Sequence, residues 1–321
     1  MVRYIIRRML WVVVVILMIT LFAFLVFYVM PPGDPAVSFA GRRPTADTLE
    51  QVRENLGLDK PTYVQYGLFV KQLFLGDEYG WPGFGFSFAS QVSVRDQLFN
   101  RVGVTLQLAV GAVIVWLAIG IPIGVLSALK RRSKADRLAM GFALFGVSTP
   151  VFWLGLMGLF VFWYKLGWAP GTGYIPFGES PFQWFTHMLM PWFVVALLFA
   201  AFYARMVRGN MIEVMSEDYI RTARAKGLPE RTVVVKHGLR AGLTPIVTMV
   251  GLDFAQLIGG AIVTERVFNL PGLGNATVDA VNRGDLPVVL GVTVFAALAI
   301  TIMNLLVDIA YAYLDPRVRY T

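Results

Sequence analysis

The chain has no cysteine and only two histidines, His187 and His237, among its 321 residues. The lack of cysteine excludes disulfides, thiol catalysis and cysteine-ligated metals, and the histidines are too far apart for a paired-histidine zinc motif. None of the seven lysines follows a glycine directly, so the G-x-x-x-x-G-K-[ST] phosphate loop is absent. No G-x-S-x-G nucleophile motif occurs either. The sequence therefore predicts no catalytic residue, no metal site and no nucleotide site of its own.

Charged residues are also scarce, at 15% of the chain, whereas hydrophobic residues make up 57%. That composition is typical of a membrane protein with several spans. Six apolar runs approach or exceed the roughly 20 residues that cross a bilayer core, and only Asp253 interrupts one of them. The predicted fold class is an all-α membrane protein with six transmembrane helices. The predicted spans cover residues 10–30, 102–129, 138–164, 188–204, 241–264 and 286–307.

Three regions follow from these spans. Residues 1–30 form an N-terminal tip and first span, which we interpret as an anchor because a cleaved signal peptide usually has a shorter apolar region. Residues 31–101 are polar and predict a folded extracytoplasmic cap, with short amphipathic helices in QVRENLGL and QYGLFVKQLFLG. Residues 102–321 form a core of five further spans, with a long polar loop at 205–244.

The distribution of positive charge predicts the orientation. Of the 28 Lys and Arg residues, 18 lie before the first span, in 130–137, in 205–240, or at Arg317 and Arg319. These segments all fall on one side of a six-span protein, and the other ten residues, Arg42 among them, are spread over longer loops. The positive-inside rule then places both termini and the 205–244 loop in the cytoplasm.

The basic segment 217–240 is the most distinctive stretch of the chain. Ser216 is a candidate N-cap, and Gly227 with Pro229 is a stop signal, which predicts a helix of about three turns. A second helix restarts near Pro229. Residues at helical spacing form a semi-apolar face suited to docking: Tyr219, Ile220, Ala223 and Gly227. An ordinary solvated basic loop is the alternative, and DNA binding by a helix-turn-helix is excluded because spans flank the segment closely.

The run RTARAKG, nine residues and then HGLR resemble the coupling loop of ABC-importer permeases, E-A-A-x3-G-x9-I-x-L-P. Ala223, Gly227 and Leu239 match, whereas Arg221, Thr222, His237 and Arg240 replace the motif residues in a manner similar to the dipeptide, oligopeptide and nickel branch. The resemblance implies a type I importer fold with a coupling helix between spans four and five. The residues it assigns to ATPase coupling are Glu217, Asp218, Tyr219, Ile220, Arg221, Thr222, Ala223, Arg224, Ala225, Lys226 and Gly227.

A second phrase, ERVFNLPGLG followed by DLPV, resembles E-x-V-F-x-x-P-G-L-G and D-x-P-V of the same family. By resemblance this outer loop, 265–287, contacts an external solute-binding protein. A re-entrant segment that plugs the bundle is the open alternative. The residues assigned to the contact are Phe268, Pro271, Gly272, Leu273, Gly274 and Asn275.

An ionisable residue at bilayer depth is costly and usually faces a bundle interior or a wet cavity. Asp253, with Gln256 and Gly260 at helical spacing, therefore predicts a polar stripe along the translocation pathway. A negative charge there attracts the ammonium group of a peptide or a cationic metal chelate. The alternative is that Asp253 pairs with a polar group of a partner permease.

The resemblance implies a permease subunit of an ATP-driven dipeptide or oligopeptide importer that forms half of the pathway in the bacterial cytoplasmic membrane. The implied partners are a homologous permease, two cytoplasmic ATPase subunits, a solute-binding protein and the lipid bilayer, with no nucleic acid. This chain would hold no cofactor, since ATP and Mg²⁺ belong to the ATPase subunits. Nickel or another small solute is the alternative cargo. A self-sufficient secondary carrier is less well supported because we find no inverted repeat, and an intramembrane enzyme needs more polar residues in the spans.

Overall fold

The computed structural model describes residues 2–30, 33–41 and 44–314. The described chain is helical apart from one two-stranded hairpin, β1 (Phe86–Ser87) and β2 (Val92–Ser93), paired antiparallel. Three helices continue directly into π-helical segments: α1 into Leu25–Val29, α7 into Leu159–Lys165 and α10 into Val233–Leu239. The helices are α1 (Val2–Phe24), α2 (Pro35–Ala40), α3 (Ala46–Leu56), α4 (Thr62–Leu75), α5 (Val94–Leu129), α6 (Lys134–Ser148), α7 (Val151–Gly158), α8 (Pro181–Val214), α9 (Asp218–Ala225), α10 (Glu230–Thr232), α11 (Arg240–Gly242), α12 (Thr244–Ile258), α13 (Ile262–Val267), α14 (Leu273–Arg283) and α15 (Leu286–Leu314).

Four of the described helical segments are long and apolar enough to cross a membrane: Ile6–Val29, Val94–Leu129, Pro181–Val214 and Leu286–Ile309. Two bent pairs raise the number to six if each pair is one span. The pair Lys134–Ser148 and Val151–Lys165 is bent by 102°, and the pair Glu230–Gly242 and Thr244–Ile258 by 49°. Multiple membrane-spanning helices are thus confirmed, and the exact six-span topology stays a prediction.

The intramembrane prolines differ in their effect. Pro150 lies at the 102° bend, where its missing N–H and fixed φ end α6 and open α7. Pro122 and Pro191 instead lie inside the continuous helices α5 and α8. The predicted fifth span also ends early, because α12 stops at Ile258 and Gly260 has a φ of +110°. The proline Pro31, expected to end the first span, and Arg42, Arg317 and Arg319 lie outside the described residues.

The chain divides into two compact units. The first comprises 1–106, 255–266 and 270–306, and the second 107–254, 267–269 and 307–321. In the first unit, the predicted amphipathic helices are present as α3 and α4. An aromatic cluster joins the C-terminal end of the first helix and its π-helical extension to α2 and α4: Phe24, Tyr28, Phe39, Tyr66 and Phe69. This region thus has a core of its own, and its identity as an extracytoplasmic cap stays a prediction.

In the second unit, α5 packs closely against α8 through small residues. A Cβ at Gly120 would lie 3.0 Å from the carbonyl oxygen of Ala200, and a Cβ at Gly124 would lie 2.6 Å from that of Ala204. Only glycine permits this backbone approach, which is the usual role of a G-x-x-x-G pair in membrane helices. Residues 107–129 of α5 and helix α8 are thus closely packed within the second unit.

Candidate coupling loop and pathway

Helix α9, the predicted coupling helix, is shorter than the sequence predicts. It spans eight residues, Asp218–Ala225, and its N-cap is Glu217 rather than Ser216. The Ser216 hydroxyl donates to the carbonyl oxygen of Glu213 at 2.6 Å, and the Glu217 side chain makes no capping hydrogen bond. The Ser216 assignment and the length of three turns were therefore wrong, although Asp218 still places negative charge at the positive end of the helix dipole.

The semi-apolar face of α9 is used inside the loop itself. Ile220 is fully buried and Ala223 nearly so, packed with Val233 of the second helix and with Met215. Tyr219, predicted on the same face, is 46% exposed. The apolar face is thus the core of a small helix-turn-helix, and the surface left for a partner is the opposite, polar face. The exposed members of the predicted coupling set are Glu217, Asp218, Tyr219, Arg221, Thr222, Arg224, Ala225, Lys226 and Gly227.

Gly227 ends α9 in the left-handed conformation that the sequence predicts, with a φ of +76°. Its N–H donates to the carbonyl oxygen of Arg224 at 2.9 Å, a bond that closes the helix end. No atom lies within 4 Å of an added Cβ, so the requirement for glycine is conformational and not steric. The turn is further closed by the Arg224 guanidinium, which donates to Glu230 at 2.7 and 3.1 Å.

The second helix begins after Pro229, as predicted, and runs without a break through Glu230–Gly242. Its far end is tied to α8, because the Asn210 amide donates to the carbonyl oxygen of Gly242 at 3.2 Å. Gly238 and Gly242 also meet the Met211 side chain, which a Cβ at either position would approach within 3.4 Å or less. The loop therefore returns to the helix from which it departs and forms a folded unit at the C-terminal end of α8.

An ion pair between α8 and α6 was not predicted from the sequence. Arg208 donates two hydrogen bonds to Asp136 of α6, at 2.7 and 2.9 Å. The Asp136 carboxylate is only 6% exposed and also accepts from the Ser127 hydroxyl and from the Arg132 backbone N–H at 2.8 Å. The available signal was that Asp136 is the one acidic residue in the basic run KRRSKADR.

Asp253 is half-buried on α12, and its partner lies in the same chain. The Tyr203 hydroxyl, on α8, donates to the Asp253 carboxylate at 2.5 Å. Tyr203 is itself fully buried and stacks against Trp116 of α5, with ring centroids 5.8 Å apart. This hydrogen bond orients one carboxylate oxygen and leaves the other available.

The other two members of the predicted polar stripe, Gln256 and Gly260, do not share one helix face. Gln256 is exposed on α12, whereas Gly260 follows the end of that helix and does not continue its face. A Cβ at Gly260 would lie 3.0 Å from the Gly274 backbone nitrogen. Gly260 therefore permits a close backbone contact with the start of α14, a role the helical spacing did not suggest.

The phrase E-x-V-F-x-x-P-G-L-G has a structural explanation. The fully buried Glu265 carboxylate accepts hydrogen bonds from the Asn275 N–H at 2.9 Å and the Thr105 hydroxyl at 2.8 Å, so it caps α14. A Cβ at Gly272 would lie 2.4 Å from this carboxyl carbon, and one at Gly274 would lie 2.7 Å from the Ile262 Cα. Burial raises the pKa of Glu265, although these donors act in the opposite direction.

Most of the predicted contact residues of this loop are buried, and one is exposed. Phe268, Gly272, Leu273, Gly274 and Asn275 are buried, and Pro271 is exposed. Asn275 uses its side chain within the loop, donating to the carbonyl oxygen of Leu270 and accepting from Arg266. The aromatic Phe268 is only 2% exposed and does not project from the loop.

The later D-x-P-V phrase also forms a buried contact. The Asp285 carboxylate, 3% exposed, accepts from the Ser87 hydroxyl of β1 at 2.6 Å. Ser87 in turn accepts from Ser90, whose hydroxyl accepts from the Gln97 amide. This network fastens the hairpin of the cap to the start of α15. Within the described ranges, no group of three or more acidic or histidine residues has the arrangement of a metal site.

Comparison with known proteins agrees with this architecture. Residues 120–320 match the family of binding-protein-dependent transport system inner membrane components, and residues 1–109 match the N-terminal region of the corresponding membrane components. In overall fold, the chain is similar to a protein in an inward-facing structure of the MetNI methionine ABC transporter. The TM-score is 0.56 at 19% identity, covering 69% of this chain and 97% of that chain.

Curated relatives match over nearly the full length. A putative peptide transport system permease protein of Brucella abortus (strain 2308) is 41% identical over 316 residues, which cover 98% of each chain. The glutathione transport system permease protein GsiC of Escherichia coli (strain K12) is 39% identical over 320 residues, covering 100% of each. With both family models matched and these identities, the chain belongs to the binding-protein-dependent transport system inner membrane components, a family of transport permeases.

Proposed function

We propose that this chain is one of two permease subunits of an ATP-driven importer of short peptides in the bacterial cytoplasmic membrane. It forms half of the translocation pathway, together with a homologous permease. Two cytoplasmic ATPase subunits supply the energy and an external solute-binding protein delivers the peptide. The names of the relatives, a peptide and a glutathione transport system permease, support short peptides as the cargo.

The observation that carries the coupling role is the folded loop between α8 and α12. Ile220, Ala223 and Val233 pack in the core of the loop, so the exposed face of α9 is mainly polar. We propose that Tyr219, Arg221 and Thr222 on this face seat in a groove of an ATPase subunit. ATP binding closes the two ATPase subunits, the groove carries α9 inward, and the permease pair changes from inward-facing to outward-facing.

For the pathway we propose the Asp253–Tyr203 pair. Tyr203 fixes one carboxylate oxygen of Asp253, and the other is left to meet the ammonium group of a passing peptide. Gln256 contributes a further exposed polar group on α12. On the outer side, the exposed Pro271 is the member of the predicted set that can meet the solute-binding protein.

The experiment is reconstitution of the full chain with its partner permease, ATPase subunits and binding protein in proteoliposomes. We expect labelled di- and tripeptides to accumulate only with ATP and the binding protein, and not when the ATPase subunits carry an inactivating substitution. Accumulation driven by an ion gradient without ATP would contradict the proposal and favour a secondary carrier.

A further inference from the structure

The turn between α5 and α6 and the first turn of α6 together carry five basic residues within eight positions: Lys130, Arg131, Arg132, Lys134 and Arg137. We refer to these residues as the basic turn. All five are exposed, and in the part of the chain that the structure describes none has a carboxylate within ion-pair distance. A cluster of this kind repels itself unless an anion neutralises it.

The single acidic residue of the segment cannot neutralise the basic turn. The Asp136 carboxylate is buried, and both of its oxygens are occupied by Arg208, Ser127 and the Arg132 backbone N–H. The charge of Asp136 is therefore balanced by α8 and not by its sequence neighbours. The Arg132 backbone N–H bond to Asp136 accompanies a φ of +66° at Arg132, so the backbone of the turn is anchored to α6 and displays its side chains outward.

The surroundings of the basic turn are apolar and exposed. On α5, Leu126 and Leu129 are 57% and 44% exposed within one turn of Lys130. On α6, Leu138 is 75% exposed and directly follows Arg137. Exposed leucines on both helices thus flank the cations, as expected where acyl chains cover the helices and headgroups cover the turn.

From this juxtaposition we infer that the basic turn and its flanking leucines form a binding surface for anionic phospholipids. The guanidinium and ammonium groups contact the phosphate and the leucines contact the first part of the acyl chains. The turn between α5 and α6 is only four residues long, so the cations stay close to the ends of these helices. This position favours a lipid headgroup over a partner protein that lies further from the helix ends. The inference concerns the chain in its membrane and does not depend on the cargo.

The test is native mass spectrometry of the full chain, titrated in detergent with phosphatidylglycerol and phosphatidylcholine. One variant carries K130Q, R131Q, K134Q and R137Q, leaving Arg132 because its backbone is constrained. At about 1 kcal/mol for each of the four cations, we expect its preference for phosphatidylglycerol to fall on the order of 1000-fold. A charge-conserving variant, K130R, R131K, K134R and R137K, should keep the preference.

The matched control removes four exposed cations elsewhere, with K60Q, K71Q, K165Q and R283Q, and should change the preference less than threefold. An unchanged preference in the variant of the basic turn would overturn the inference, and so would an equal loss in the control. If the preference is unchanged and the variant no longer co-purifies with the ATPase subunits, the surface binds a protein partner instead.

Discussion

Among single residues, Thr105 joins the two groups that fix the start of α14. Its hydroxyl donates to Glu265 and accepts from the Leu273 N–H at 2.9 Å. Thr105→Val has nearly the same shape but leaves the buried Leu273 N–H without a partner and removes one of the donors to the buried Glu265 carboxylate. We expect a loss of about 2 kcal/mol in stability, seen as a lower melting temperature of the detergent-solubilised chain.

Two substitutions control for this loss. Thr105→Ser keeps the hydroxyl and should melt within a degree or two of the parent chain. Thr277→Val removes a hydroxyl that donates only to the carbonyl oxygen of Leu273 within α14, so its effect should be small. Equal melting of the Thr105→Val variant and the parent chain would show that Glu265 is satisfied in some other way.

Asp34 gives the cap a pH-dependent contact. Its carboxylate accepts from Arg53 at 2.5 Å and caps α2 through the Ala36 N–H, and these bonds hold its pKa below the usual range. A lowered carboxylate pKa stabilises the fold above the unfolded value, and the gain is lost as pH falls through the folded value. Because the pair is partly exposed, we expect Asp34→Asn to cost only about 0.5 kcal/mol at pH 7.

Thermal melts between pH 7 and pH 3 measure this contribution. Asn keeps the helix cap, so the difference between parent and Asp34→Asn should be constant at neutral pH and shrink below about pH 4. Arg53→Gln should reproduce the neutral-pH loss, and the double variant should lose no more than either single one. A difference that persists unchanged at pH 3 would contradict an ionic origin.

Asp253 and Tyr203 lead to a prediction about cargo preference. Asp253→Asn keeps the size and hydrogen bonding of the side chain but removes its charge, and Tyr203→Phe removes the hydroxyl that orients it. We expect each to weaken uptake of peptides with a free amino group by about 1.4 kcal/mol, a tenfold rise in KM. N-acetylated peptides should be transported like those in the parent complex, whereas a merely structural role would reduce both classes equally.

At the scale of elements, Gly227 determines where helix α9 ends. Its φ of +76° is a conformation that a β-branched residue adopts only at a cost of roughly 1–3 kcal/mol, and the absence of neighbours excludes a steric explanation. We expect Gly227→Val to insert and assemble but to uncouple ATP hydrolysis from uptake. Asn tolerates this conformation better, so Gly227→Asn should keep most transport. Normal uptake by the valine variant would contradict a coupling role for this helix end.

Elements were predictable where one local signal dominates. The helices α3 and α4, the left-handed Gly227 and the break at Pro150 follow from local sequence alone. The predicted start of α9 was wrong because the Ser216 hydroxyl is directed to the carbonyl oxygen of Glu213. The statistical preference for serine at helix N-caps does not reveal such a contact. The Asp136–Arg208 and Glu265–Thr105 bonds were missed because they join residues far apart in sequence, which only the tertiary packing of the helices brings together.

The buried face of α9 shows the same limit of sequence-based prediction at a candidate functional site. Helical spacing correctly grouped Ile220 with Ala223, but spacing cannot tell whether an apolar face meets a partner or the chain's own next helix. Val233 covers this face, so we expect a partner to meet the polar side, which composition alone would assign to solvent. Substitutions meant to probe docking therefore belong at Arg221 and Thr222.

At the scale of the whole molecule, the open question is orientation. Charge asymmetry predicts six spans with both termini in the cytoplasm, which places Thr172 outside and Arg231 inside. Both residues are exposed, and the chain has no cysteine, so a single introduced thiol is the only one present. We expect a membrane-impermeant maleimide to label the Thr172→Cys variant in right-side-out spheroplasts, whereas the Arg231→Cys variant should react only after lysis. Labelling of both variants in sealed spheroplasts, or of neither before lysis, would show that the number of crossings between them is even and that the six-span topology is wrong.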